Sequence, residues 1–181
     1  MLRISIPISP EGWDEVNECF VEPTVIELDL EHSLVSLSKW ESKWCKPFLN
    51  NKELSGEEFL DYIMCMTITP GVDPIVYTRI TKETLNQINE YIAAPMTATT
   101  FVEEKGGKGG REIVTAELIY YWMVALQIPF ECQYWHLNRL ITLVRVCNVK
   151  NAPPKKMSKN AIKSRNAALN AQRRAQLNSK G

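Results

Sequence analysis

Thr24-Val-Ile-Glu-Leu-Asp-Leu-Glu-His-Ser-Leu-Val-Ser-Leu-Ser-Lys-Trp-Glu-Ser-Lys-Trp44 changes its hydrophobic period halfway along. Ile26, Leu28 and Leu30 alternate with Glu27 and Asp29, the period of a strand with one buried face. After His32 the apolar positions Leu34, Leu37, Trp40 and Trp44 continue from Leu30 at steps of three or four residues. That is the period of an amphipathic helix, and Pro47 ends it. One segment therefore carries a strand into a helix, and the remaining elements are assigned around it.

Upstream, Leu2, Ile4, Ile6 and Ile8 alternate with Arg3, Ser5 and Pro7, so a second strand is expected, with Pro7 suited to an edge. The two strands pair across the long connection Ser9–Pro23, in which a short helical turn is expected at Gly12–Phe20. Downstream, Ser55-Gly-Glu-Glu58 reads as a capping box. It opens a helix carrying Phe59, Leu60, Ile63, Met64 and Met66, stopped by Pro70-Gly71. Asp73-Pro74 starts one short turn. Thr81 starts another helix, with Leu85, Ile88, Tyr91 and Ile92 on one side. Ala94–Gly110 is a connector with the glycine-rich tip Lys105–Gly110. Two apolar helices are expected next, Arg111–Leu126 and Glu131–Val149, separated by Pro129 and packed as the central antiparallel pair.

Charge divides the chain. The 31 residues Asn151–Gly181 hold eight Lys or Arg and no Asp or Glu; all 21 acidic residues and the other 13 basic ones lie in 1–150. The body is formally −8 and the tail +8, which hides behind a net charge of zero. Within Ser158–Asn178 only Ile162, Leu169 and Leu177 mark an apolar line, too thin to bury much, so this segment orders on a partner. The fold class is mainly α: a small helical domain at 1–150 with a two-stranded N-terminal β element, and a basic helical or disordered tail at 151–181.

The chemistry-bearing residues point away from an enzyme. Gly106-Gly-Lys-Gly-Gly110 lacks the Ser or Thr, and the preceding strand, of a phosphate-binding loop. His32 and His136 are the only histidines, and no His or Cys pair has the spacing of a structural zinc site. Five scattered cysteines without a Cys-x-x-Cys suit reduced thiols in a cytosol. Glu57, Glu58 and Asp61 read as a solvated helix face. No cofactor and no metal is implied. No stretch is apolar and long enough to span a bilayer, and no signal peptide is present, so a soluble intracellular protein is expected. The tail could give salt-sensitive binding to nucleic acid, but it offers no aromatic residue for base stacking, so a nucleic-acid partner is disfavoured.

Several long stretches carry a resemblance: Leu30–Trp44, Ala94-Pro-Met-Thr-Ala-Thr-Thr-Phe101, Arg111–Trp122, Trp135-His-Leu-Asn-Arg-Leu140 and Lys155-Lys-Met-Ser158. Together they resemble the tail assembly chaperones of long-tailed, siphovirus-type bacteriophages, over nearly the whole chain. The resemblance implies a protein of the host cell cytoplasm that binds the tape measure protein, a long apolar helical chain, before the tail tube polymerises. It implies help in recruiting the major tail tube protein, absence from the finished particle, and no catalytic residues. Many such proteins are made in two lengths by ribosomal frameshifting. A chaperone of this kind needs a surface that accepts amphipathic helices, and Met and aromatic side chains suit that task. Trp40, Trp44, Met64, Met66, Met96, Trp122 and Met123 are the candidate lining, although an aromatic core is the plainer reading of the tryptophans. Lys155, Lys156, Lys159, Arg165, Arg173 and Arg174 are the candidate contacts of the tail, to a second, acidic partner or to another copy. A structural tail or head–tail connector protein of the virion, and a nucleic-acid-binding phage protein, are the competing readings.

Overall fold

The computed structural model describes residues 1–8, 12–14, 19–21, 24–49, 54–101, 113–153 and 159–177. The glycine-rich tip at 105–110 lies outside the described residues. The chain divides into two compact units, Met1–Asn148 and Val149–Gly181.

The first unit is mainly helical with an N-terminal antiparallel sheet, as the periodicity predicts. Strand β1 (Leu2–Pro7) pairs with the fourth strand, β4 (Val25–Leu30), with Leu2 opposite Leu30, Ile4 opposite Leu28 and Ile6 opposite Ile26. Ile4, Ile6, Leu28 and Leu30 are buried. On the outer face the Arg3 guanidinium donates to both Asp29 carboxylate oxygens, at 2.8 and 3.2 Å. The helical turn expected at Gly12–Phe20 is corrected: β2 (Gly12–Asp14) and β3 (Cys19–Val21) form a second antiparallel pair. Gly12-Trp13 and Phe20-Val21 carry the aromatic and β-branched residues that favour extended backbone over one helical turn.

Helix α1 (Leu34–Trp44) follows β4 after a three-residue corner. Ser33 caps it and exchanges hydrogen bonds with Ser36, a capping box that satisfies amides otherwise left open at a helix start. Leu34, Leu37 and Trp40 are buried. Cys45 closes the helix in the left-handed conformation, φ 51°, donating its N–H to the Glu41 carbonyl oxygen. Helix α2 (Gly56–Met66) begins at the expected capping box of Ser55 and Glu58. It ends at Met66, short of Pro70, because Thr67 and Ile68 turn to pair with β4: Ile68 N–H donates to Asp29 O at 2.8 Å, and Glu31 N–H to Met66 O at 2.9 Å. A 3-10 turn (Pro74–Arg79) capped by Asp73 and helix α3 (Lys82–Ala93) capped by Thr81 match their start signals.

Helix α4 (Ala116–Ala125) is shorter than the expected Arg111–Leu126. Thr115 caps it, and Glu41 of α1 reaches across to accept the Ala116 N–H at 2.7 Å. Gln127, φ 54°, and Pro129 then turn the chain into a second 3-10 turn (Phe130–Tyr134). Helix α5 (Leu137–Asn151) therefore starts six residues after Glu131, the expected position. The expected pairing of these two helices is also corrected: α1 is the central helix, packing on both α2 and α4.

In the second unit, helix α6 (Lys159–Leu177) is a 19-residue helix without an acidic residue. Ile162, Leu169 and Leu177 are exposed on it, as are Lys159, Arg165, Arg173 and Arg174. No helix among the described residues is long and apolar enough to cross a membrane.

Candidate functional site

The structure separates the sequence-predicted lining residues. Trp40 is fully buried, so the expectation that it lines an accessible groove is corrected. Its ring lies 5.1 Å from Phe48 and 6.5 Å from Tyr62, edge-on to both, and its Nε1–H donates to the Glu58 carbonyl oxygen at 2.8 Å. Phe48 and Tyr62 stack at 3.8 Å, which makes this cluster the aromatic core of the α1–α2 layer. Met123 is corrected on the same ground, being buried in α4, while Met66, buried at the end of α2, lines a cleft beside Tyr134. Trp44 is half-buried; it stacks 6.1 Å from Trp40, and its Nε1–H donates to Asp61 at 2.8 Å. Met64 and Trp122 are half-buried and packed against the core. Lys155 and Lys156 lie outside the described residues.

A different set of apolar residues faces solvent. In α4, Ala116, Ile119 and Met123 are buried against the core, yet of its ten residues only Glu117 is charged. Its outward positions include Tyr121, 65% exposed, and Val124, 60% exposed. The following 3-10 turn adds Phe130, 54% exposed, and Tyr134, 63% exposed. Tyr120 ties that turn to α4 by donating its hydroxyl proton to Gln133 Oε1 at 2.9 Å. A surface helix normally has a polar outer face. Here that face has one charge, Glu117, beside exposed Tyr121 and Val124, and large exposed apolar residues of this kind mark an interaction surface.

Tyr134 stands between two clefts of about 300 Å³ each, and Glu31 lines both. Val35, Cys65 and Ile68 line the first, with Met66 at its back and Lys39 on its rim. Met96, Trp135 and His136 line the second, with Arg139 beside them. The Arg139 guanidinium lies over the Trp135 ring, 4.1 Å from its centre. The Glu31 carboxylate accepts the Tyr91 hydroxyl proton at 2.6 Å and pairs with the Met1 ammonium at 2.8 Å.

Beneath the clefts, two buried histidines hold the corner between β4 and α1 against the start of α5. Their rings meet edge-on at 5.1 Å, and Leu137 N–H donates to His32 O at 2.7 Å. His32 Nδ1 lies 2.6 Å from the Tyr62 hydroxyl oxygen. His136 Nε2–H donates to the Tyr91 carbonyl oxygen at 3.0 Å, while its Nδ1 accepts the Asn138 N–H at 3.3 Å. That pattern needs one ring donor and one ring acceptor, so it fits only the neutral imidazole. Burial, and then the neighbouring His136, push the His32 pKa down to about 3; burial also lowers that of His136. Among the described residues, no group of three or more His, Cys, Asp and Glu is placed to hold a metal ion. No buried side-chain polar atom among them lacks a hydrogen-bond partner. The histidines act as structural hydrogen-bonding groups.

This pair sets a pH dependence. Both folded pKa values lie below that of an exposed imidazole, about 6.5. On acidification the unfolded chain therefore takes up protons first. Stability is full above about pH 6.5 and falls as pH drops from there toward 3, the His32 value. Between pH 7.5 and 5.5 His32 alone costs about 1.4 kcal/mol, and His136 adds to it with the same sign. Carboxylates contribute little in that window, because their ordinary values lie near 4. Urea unfolding at the two pH values measures the effect; equal stabilities would contradict it.

Compared with known proteins, the chain matched no family model, no curated protein and no solved structure.

Proposed function

We propose that this chain is a non-enzymatic assembly chaperone that holds amphipathic helical segments of another polypeptide, the role its resemblance implies toward a phage tape measure protein. The observation that carries the reading is α4: a helix that buries one apolar side and, beyond the single charge of Glu117, still exposes Tyr121 and Val124 to solvent. Helix-in-groove recognition needs such a face, reading anchors at steps of three, four and seven residues on the partner. Exposed Tyr121, Phe130 and Tyr134 supply large contact area with few rotamers to freeze. The charge division supports two separate associations, an apolar one on the body and an electrostatic one on α6, which carries Lys159, Lys163, Arg165, Arg173 and Arg174. The tail's partner in this reading is an acidic protein, the tail tube subunit or another copy of the chain.

The reading is tested by charging the exposed face. Val124→Glu leaves the core untouched, since Val124 points outward. It should weaken binding of helical tape-measure segments at least about tenfold, as a carboxylate left unpaired in an apolar interface costs more than 1.4 kcal/mol. Titration calorimetry with the wild-type and variant proteins gives the ratio. Equal affinities, with both proteins folded by circular dichroism, would remove α4 from the binding surface.

A further inference from the structure

We infer that the two clefts flanking Tyr134 select the charge of the bound segment: they take a helix whose apolar anchors are flanked by Asp or Glu. The inference rests on the reading above and adds the chemistry of the partner. Three observations carry it. First, the two clefts, about 300 Å³ each, share Glu31 and Tyr134, so they are adjacent seats for one helix; the first, with Val35, Met66 and Ile68, is mainly apolar and takes an anchor, and the second, with Tyr91, His136 and Arg139, is mainly polar and takes the acidic neighbour. Second, each holds an exposed cationic side chain, Lys39 in the first and Arg139 in the second, where the Met1 ammonium also lies. Third, among the described residues the only carboxylate lining either cleft is Glu31. It is already engaged by the Tyr91 hydroxyl and the Met1 ammonium, so it offers little repulsion to an incoming acid.

The surrounding charge sharpens the point. Residues 1–150 carry 21 acidic and 13 basic side chains, a net −8. A surface sampled at random from this body would be negative and would favour a basic ligand. At the two clefts the local sign is reversed. Arg139 is also held in place, its guanidinium lying over the Trp135 ring, a contact that leaves the charge in full to meet a carboxylate. Cations lining a binding seat discriminate mainly by rejecting the wrong charge, since Lys or Arg on the ligand would meet Lys39 and Arg139.

The test uses two synthetic helical peptides of about 20 residues, long enough to cross both clefts. They share one Leu/Ala face; one carries Glu beside the Leu residues and the other Lys. Binding to the full chain is read by fluorescence anisotropy at about 50 mM and 300 mM salt. The eight cations of the tail attract any acidic peptide, so the deciding comparison is among proteins that all keep the tail: wild type, K39E, R139E and Y134A. The expected result is that the Glu peptide binds wild type more tightly, and that K39E and R139E together cut that preference about tenfold, two partly exposed charge pairs being turned from attraction to repulsion. Y134A should weaken both peptides alike. A preference unchanged in K39E and R139E would overturn the inference while leaving the holding role intact. If neither peptide binds wild type, the holding role falls and the inference with it. Should R139E lose its fold through the Trp135 contact, K39E alone decides, because Lys39 is exposed.

Discussion

Trp40→Ala is expected to lower the unfolding free energy by about 3–5 kcal/mol, the usual range for emptying a buried aromatic site. The ring is fully buried between Trp44, Phe48 and Tyr62, so its removal leaves a cavity bounded by rigid aromatic faces that cannot collapse into it. The Glu58 carbonyl oxygen also loses its donor from Nε1. A domain of this size has only about 5–15 kcal/mol to lose, so the variant should unfold at a much lower urea concentration, or not fold at 37 °C. Trp44→Ala, at a half-buried position whose indole N–H meets Asp61, should cost clearly less. Chemical denaturation of the two variants separates the cases. A similar loss for both would mean that Trp40 is not the centre of the cluster.

The second large effect is at Glu41. This buried carboxylate accepts the Phe48 N–H at 2.9 Å with one oxygen and the Ala116 N–H at 2.7 Å with the other. It closes the loop after α1 and sits at the N-terminus of α4, where a negative charge is favoured by the helix dipole. Glu41→Ala leaves two buried amides without partners, at about 1–3 kcal/mol each, and opens a small cavity, so a loss of about 3 kcal/mol or more is expected. Glu41→Gln keeps the shape but turns an NH2 toward one of the two donors, so it should recover only part of the loss. Urea unfolding of the three proteins gives the order wild type, Gln, Ala. A Gln variant as stable as wild type would mean that one of the two contacts contributes nothing. Because Glu41 anchors α4, the alanine variant should also lose partner binding, and hydrogen exchange would show α4 amides opening first.

Glu41 also shows where sequence reasoning stops. The strands β1 and β4, the helix α1, and the capping boxes and caps of α2 and α3 are written in local periodicity and short motifs, and each forms where those signals put it. The start of α4 is marked locally by the cap Thr115 and secured by a carboxylate 75 residues earlier in the chain, which no local pattern shows. The apolar run from Arg111 outweighs the Thr115 signal, so the segment reads as helix one turn too early. The gap between α4 and α5 was half-legible: Pro129 marks a break, but the 3-10 turn Phe130–Tyr134 keeps nearly the same apolar spacing as a helix, so it read as the first turn of α5. That turn exposes Phe130 and Tyr134, which the plainer reading of the aromatics around Pro129 places in the core. Conversely, Trp40 and Trp44 share one helical stripe and look alike in sequence. Their fates differ because Phe48 and Tyr62 close over Trp40 alone. The signal that could have found the exposed face was present in α4 itself, whose ten residues include a single charge, Glu117, too little to make a polar side for solvent.

The proposed role depends on that unpartnered face, and the most direct measurement is the state of a tape measure protein produced with this chain in one cell. Its soluble fraction should rise with the wild-type chain and the two should co-purify at a fixed ratio. With Val124→Glu the chain itself should stay soluble and folded, while the tape measure protein returns to the pellet. Equal recovery of soluble tape measure protein with wild type, with the variant and with no chaperone at all would contradict the role assigned to α4.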